Sequence, residues 1–280
     1  MSFVDSMRAL DLAVKLTMGL YGLSGLLNLG HSMRRKYRFL RWAALALLGA
    51  GLLVNAVWLM NAWHELGHPP FSENFGCLVL LAMCVAVVSL SLDVTVNIRF
   101  LGGLTTLTAG GVLVFGARFV GEVRPLMPAL QSVYFAPHVL GYFIAYGALS
   151  VSAVASAVLL VVRLLQVLRV PTGAGFLDGV RSWIERSALI GLPFLTLGIV
   201  LGALWAQASG GDYWSWDPKE VWALITWLFV VAWFHLWRIR SRGVLSAVVM
   251  LVAVGALYFT FLGLGLLPTA GGSYHLYTKR

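Results

Sequence analysis

The chain contains six histidines, and their surroundings decide what chemistry is open to them. Imidazole is a common ligand for transition metals and for heme iron, and it is costly to bury without a partner. His138 opens one long apolar run and His275 follows another. Close to both in expected depth is the hydrophilic stretch Gly210-Gly211-Asp212-Tyr213-Trp214-Ser215-Trp216-Asp217-Pro218-Lys219-Glu220. An iron held from two faces needs two imidazoles, and a porphyrin needs flat aromatic walls with a few charged groups for its propionates. Tyr213, Trp214, Trp216 and Lys219, with Trp205 and Trp222 nearby, are residues of those types. The competing reading is that histidine and tryptophan simply populate a membrane interface.

The other histidines divide by setting. His235 lies fifteen residues beyond Glu220, roughly 22 Å deeper along a helix at 1.5 Å per residue. An ionisable group at that depth is a functional candidate, although Trp237 and Arg238 beside it also suit an interfacial anchor. His31 precedes a basic loop and is expected to be solvated. His64-Glu65-Leu66-Gly67-His68 matches H-E-x-x-H, in which two histidines one helical turn apart bind zinc and the glutamate activates water. Gly67, Pro69 and Pro70 oppose the helix that this motif needs, so a surface turn is the stronger expectation.

The Trp-rich stretch also has local logic. Asp217 is placed as an N-cap, Pro218 at the first helical position and Glu220 at the third, where its carboxylate can reach back as in a capping box. Capping accounts for these three residues. It does not account for Tyr213, Trp214 and Trp216 immediately before them.

The elements that must position these groups follow from composition. With 60% apolar residues, 11% charged and a mean hydropathy of +0.86, the chain departs from soluble domains, which are about 25% charged. An all-α, polytopic membrane helix bundle is expected, a single integral membrane domain over residues 1–280. Its eight spans fall near 10–30, 42–63, 75–92, 100–118, 138–162, 187–206, 221–237 and 244–267, with the outer loop at about 205–222. Lys15 interrupts the first run and no small-residue cleavage site follows, so that span is expected to be retained. Residues 176–190 read as a separate amphipathic helix on the membrane surface, with Leu177, Val180, Ile184 and Ala188 along one face.

Charge sets the expected orientation. Arg34, Arg35, Lys36, Arg38 and Arg41 share one side with Arg99, Arg163, Arg169, Arg181, Arg186, Arg238, Arg240 and Arg242. The opposite side is poorer in Lys and Arg, so the positive-inside rule places both termini and the Trp-rich loop on the extracytoplasmic side. The same distribution explains the formal charge of +9 without nucleic acid as a partner. Cys77 and Cys84, seven apart in an apolar run, are too far apart along a helix to pair and are expected to be packing residues.

The stretch "YWSWDPKEVWALITWLFVVAWFHL" resembles the WWD signature and following helix of the CcsA (ResC) family of cytochrome c biogenesis proteins, the membrane subunits of the system II pathway. "PALQSVYFAPHVLGYFIAYGALS" at 128–150, "FLTLGIVLGALWA" at 194–206, "GHPPFS" at 67–72 and the terminal "SYHLY" extend the resemblance over roughly residues 40–280. The chain departs from the pattern where Gly210 stands in place of a tryptophan, in "ENFGC" after the first outer loop, and in the spacing before His275.

The resemblance implies a heme transporter and holocytochrome c synthetase subunit, acting with a CcsB (ResB)-like partner. In that reading His138 and His275 are axial ligands of an outer site for heme b, Tyr213, Trp214, Trp216 and Asp217 form its platform, and His235 is one ligand of an inner transmembrane site. Apocytochrome c, through a CxxCH peptide, is the expected acceptor. The bacterial cytoplasmic membrane or the thylakoid membrane is the expected location. Two other readings stay open: a CcmC-like heme carrier without ligase activity, and a membrane metalloprotease built on His64, Glu65 and His68.

Overall fold

The computed structural model describes residues 12–34, 36–121, 127–170, 175–239 and 243–264. These residues are overwhelmingly helical, and no strand occurs among them. Among the described residues eight helices are long and apolar enough to cross a membrane. They are α1 (Leu12–Met33), α2 (Arg38–Leu66), α3 (Asn74–Thr95), α4 (Arg99–Gly116), α5 (Phe135–Val167), α6 (Phe176–Gly210), α7 (Pro218–Trp237) and α8 (Gly243–Gly263, π-helical from Phe259 onward). All eight expected spans correspond to these helices. The chain divides into two compact units, Met1–Met127 and Pro128–Arg280.

In the first unit α3 is the most enclosed helix, with 78% of its apolar window buried, and it packs against α4 and α2. Leu78 to Leu81 on α3, Tyr21 on α1, Leu48 and Trp58 on α2, and Leu101 and Leu113 on α4 are all buried. The unit also buries polar groups. Asp93 at the end of α3 forms an ion pair with Arg41 of α2 and accepts a 2.9 Å hydrogen bond from Asn28 Nδ2 of α1. Gly102 of α4 lies flush against the same carboxylate, so four helices meet at one charge. A buried charge is tolerable only when paired in this way. His31 is buried too, with Nδ1 3.1 Å from the Tyr37 carbonyl, which corrects the expectation of a solvated side chain. The following loop folds back and supplies the polar partner. Cys77 and Cys84 are buried and unbonded to each other, as packing residues should be.

In the second unit α5 and α6 run antiparallel. The pairings His138 with Gly202, Gly141 with Gly198, Leu149 with Gly191 and Ser152 with Ile184 fix the register. α8 closes against α5, where Ser150 Oγ and the Tyr258 hydroxyl lie 2.7 Å apart, and α7 packs on α8 through Trp222 and Phe259. α7 is the least enclosed of the eight helices, burying only Ala223, Thr226, Val230 and Trp233 along a single stripe.

Residues 176–190 are not a separate surface helix. They form the first part of α6, a continuous helix of 35 residues that contains Pro193. At 1.5 Å per residue it is about 52 Å long, well beyond a ~30 Å hydrocarbon core. Val180, Ile184 and Ala188 are buried in the unit, and the Ile184 carbonyl accepts a hydrogen bond from Ser152 of α5. The apolar stripe expected to face a membrane is a helix-packing face.

Candidate functional site

His138 lies in the first turn of α5, and its ring is held from several directions. Nδ1 is 2.9 Å from the carbonyl oxygen of Gly198 on α6. A carbonyl oxygen only accepts, so Nδ1 is the donor in this bond. The indole of Trp205 stacks on the imidazole at 6.0 Å between centroids and 15° between planes. Tyr142, one turn further along α5, meets the same ring edge-on at 4.9 Å. Trp205 is itself fixed, being buried at 2% exposure and donating its Nε1–H to the Ala129 carbonyl at 2.8 Å. It therefore backs the histidine and is not a surface wall.

The antiparallel register connects this histidine to the Trp-rich loop. His138 sits against Gly202, and α6 ends at Gly210, about 12 Å further along its axis. Gly211 stops the helix in the left-handed conformation, at φ 91°, with its N–H bonded back to the Gln207 carbonyl at 3.0 Å. The chain then crosses to α7, whose start is the expected capping box. Asp217 accepts from the Lys219 N–H at 2.9 Å, and the Glu220 carboxylate accepts from the Asp217 N–H at 3.1 Å. Glu220 also accepts from the Ser215 N–H at 2.8 Å, a bond that ties the loop, and not only the helix, to this carboxylate.

The loop so held displays its aromatic residues. Tyr213 is 59% exposed and Trp216 is 71% exposed, while Trp214 is half-buried with its ring edge-on to Trp216 at 5.9 Å. Trp216 adopts φ 59°, a left-handed conformation that a bulky side chain seldom takes. Asp217 is buried at 8% exposure. Trp222, half-buried, packs on Phe259 and not on the loop.

His235 occupies the last turn of α7, about 25 Å along that helix from Pro218 and the loop. It is exposed, off the buried stripe, with the ring of Phe234 6.4 Å away. His138 and the loop thus share one end of the second unit, and His235 lies at the other. His275 lies outside the described residues.

The H-E-x-x-H segment does not form the geometry its chemistry requires. α2 ends at Leu66, and Gly67 at φ 70° turns the chain before His68 is reached. His64 and His68 are therefore not successive turns of one helix, and His68 Nδ1 lies 3.0 Å from the Pro69 carbonyl. Among the described residues no group of three or more metal-ligating side chains is brought together.

Three neighbours of His138, namely Gly198, Gly202 and Tyr142, are not among the residues expected at the site. A signal is present all the same: Gly198-Ile199-Val200-Leu201-Gly202 is a G-x-x-x-G pattern in an apolar helix, which marks close helix approach.

The sequence profile of the family described as cytochrome C assembly protein matches residues 71–269. The chain belongs to that family. The region matched contains His138, the aromatic loop and His235. Among similar proteins, the cytochrome c biogenesis protein CcsA of Chlamydomonas reinhardtii is 30% identical over 240 residues, covering 81% of this chain and 67% of the relative. CcsA of Synechococcus elongatus is 30% identical over 272 residues, covering 79% and 84%, and that of Mesostigma viride is 28% identical over 294 residues, covering 94% of each. Among solved structures, a cytochrome c heme lyase, CcmF, matches with a TM-score of 0.61 at 20% identity, over 90% of this chain and 48% of that one. This cytochrome c assembly protein and CcmF therefore share a helical fold.

Proposed function

We propose that this family member carries heme b across its membrane, presents it at the aromatic loop and, with a CcsB-like partner, promotes its attachment to apocytochrome c. The observation that carries the reading is His138: an imidazole locked with Nδ1–H on the Gly198 carbonyl, backed by a buried tryptophan, at the end of the bundle that bears the loop. A histidine ligand is ordinarily anchored through its second nitrogen in this way.

In this reading His138 and His275 are the two axial ligands of the outer site. Tyr213, Trp214 and Trp216 provide its platform, and Asp217 and Glu220 hold that platform at the mouth of α7. His235, exposed on the least enclosed helix, supplies one ligand of an inner site and the partner subunit supplies the other. The loop faces the extracytoplasmic side, in keeping with the distribution of arginine and lysine. Attachment itself is an addition. Each cysteine S–H of the CxxCH peptide adds across a heme vinyl group, sulfur bonding one carbon and the proton going to the other. Holding the reactants within reach supplies the proximity that such a step needs, and no acid, base or nucleophile of the chain is required.

The test is co-expression with a CcsB-like partner and a CxxCH reporter. Covalent heme on the reporter is expected, lost in His138→Ala and restored by added imidazole. A reporter that never acquires covalent heme, while the protein itself binds heme, would make the chain a carrier and not a synthetase subunit.

A further inference from the structure

The feature of α6 that no motif assigns is the gap opposite His138. In an α-helix each Cβ leans towards the N-terminus, so the side chain at position i+4 stands over the carbonyl at position i. At most positions that shields the carbonyl from a neighbouring helix. Gly202 stands four residues after Gly198, and a Cβ built there would lie 2.6 Å from His138 Cε1 and 2.8 Å from Nδ1. No real Cβ contact is that short, so any side chain at 202 would displace the ring. Gly198 makes a similar allowance for Tyr142, whose ring would lie 2.9 Å from a Cβ at 198.

We propose that Gly202 and the Gly198 carbonyl form a positioning device that admits the His138 ring edge to the α6 backbone, fixes its Nδ1–H tautomer and presents Nε2 as the donor to iron. The device deepens the proposed function and rests on His138 being a heme ligand. Neither glycine touches the iron; both act through His138. The carbonyl bond also raises the electron-donating power of the imidazole, so its loss weakens the ligand and raises the iron's reduction potential.

Two measurements test it. The first needs no heme: 15N spectra of histidine-labelled, heme-free protein, with His138 assigned by difference against His138→Ala. Protonated Nδ1 and unprotonated Nε2 are expected, and the opposite tautomer would overturn the proposal.

The second compares Gly202→Ala with Gly141→Ala. Alanine is the better helix former, so α6 itself gains from the first change. A Cβ at 141 would meet the same helix interface only at an ordinary 3.7 Å, which makes Gly141→Ala the packing control. Heme retention in Gly202→Ala should fall by at least about ten-fold, as for loss of a group that supports a metal ligand. The Gly202→Ala, His138→Ala double variant should retain as much heme as His138→Ala alone. Gly141→Ala should keep the parent's absorption spectrum and potential. Equal losses in Gly202→Ala and Gly141→Ala, or a folded Gly202→Ala protein with unchanged heme retention and potential, would overturn the proposal. If His138→Ala itself left heme binding untouched, the ligand assignment would fail instead, while the tautomer measurement would still report on the device.

Discussion

Replacing Glu220 by alanine isolates the interaction that shapes the aromatic loop. Its carboxylate accepts from the backbone N–H groups of Ser215 at 2.8 Å and Asp217 at 3.1 Å, and these bracket Trp216 at φ 59°. A left-handed conformation costs a residue with a Cβ roughly 1–2 kcal/mol. Hydrogen bonds to charged groups contribute about 1.5–3 kcal/mol when buried, and nearer 1 kcal/mol each in a setting as open as this one. Two such bonds supply roughly 2 kcal/mol, enough to offset the backbone strain at Trp216 but with little to spare. Alanine should therefore let the loop open while α7 stays in place. At 1.4 kcal/mol per factor of ten, amide exchange across residues 212–217 should accelerate by about 30-fold. Hydrogen exchange read by mass spectrometry, on protein held in a lipid nanodisc, measures this directly. Glu220→Gln keeps an acceptor of the same shape and should show a smaller acceleration. Unchanged exchange at Ser215 and Asp217 in Glu220→Ala would mean that something other than this carboxylate holds the loop.

Asp93→Ala should destabilise the first unit by about 3 kcal/mol, since it strands the Arg41 guanidinium among four packed helices; detergent-titration unfolding should show the shift, and a change under about 0.5 kcal/mol would contradict the pairing's importance. Gly211→Ala should cost about 1 kcal/mol of thermal stability, because a Cβ is strained at φ 91°. An unaltered melting temperature would argue against that cap. Glu65→Gln should leave cytochrome maturation intact, since α2 ends before the zinc motif is complete. Combined loss of maturation and of bound zinc would reverse that conclusion.

The eight spans are legible in the sequence because apolar runs near 20 residues match the thickness of a bilayer core, and the capping box because its residues are neighbours in the chain. Legibility ends wherever a residue's partner is distant. The stripe Val180, Ile184, Ala188 has the same spacing whether a helix lies on a bilayer or on another helix, and only the α5 contact distinguishes the two. The burial of His31 is hidden in the sequence because its partner, the Tyr37 carbonyl, depends on how the loop folds back. His138 stands out by type and depth, but the carbonyl that fixes its tautomer lies sixty residues away in the chain. The four-residue spacing of Gly198 and Gly202 marks a close approach, though nothing local says which side chain they admit.

Whether His138 binds heme iron is decided by the visible absorption of protein purified with a CcsB-like partner, recorded for the parent and for His138→Ala with and without imidazole. A Soret band that weakens in the variant, and returns when imidazole takes the place of the missing ligand, is the expected result. A parent-like spectrum in His138→Ala without added imidazole would remove this histidine from the iron, and with it the outer site as built here.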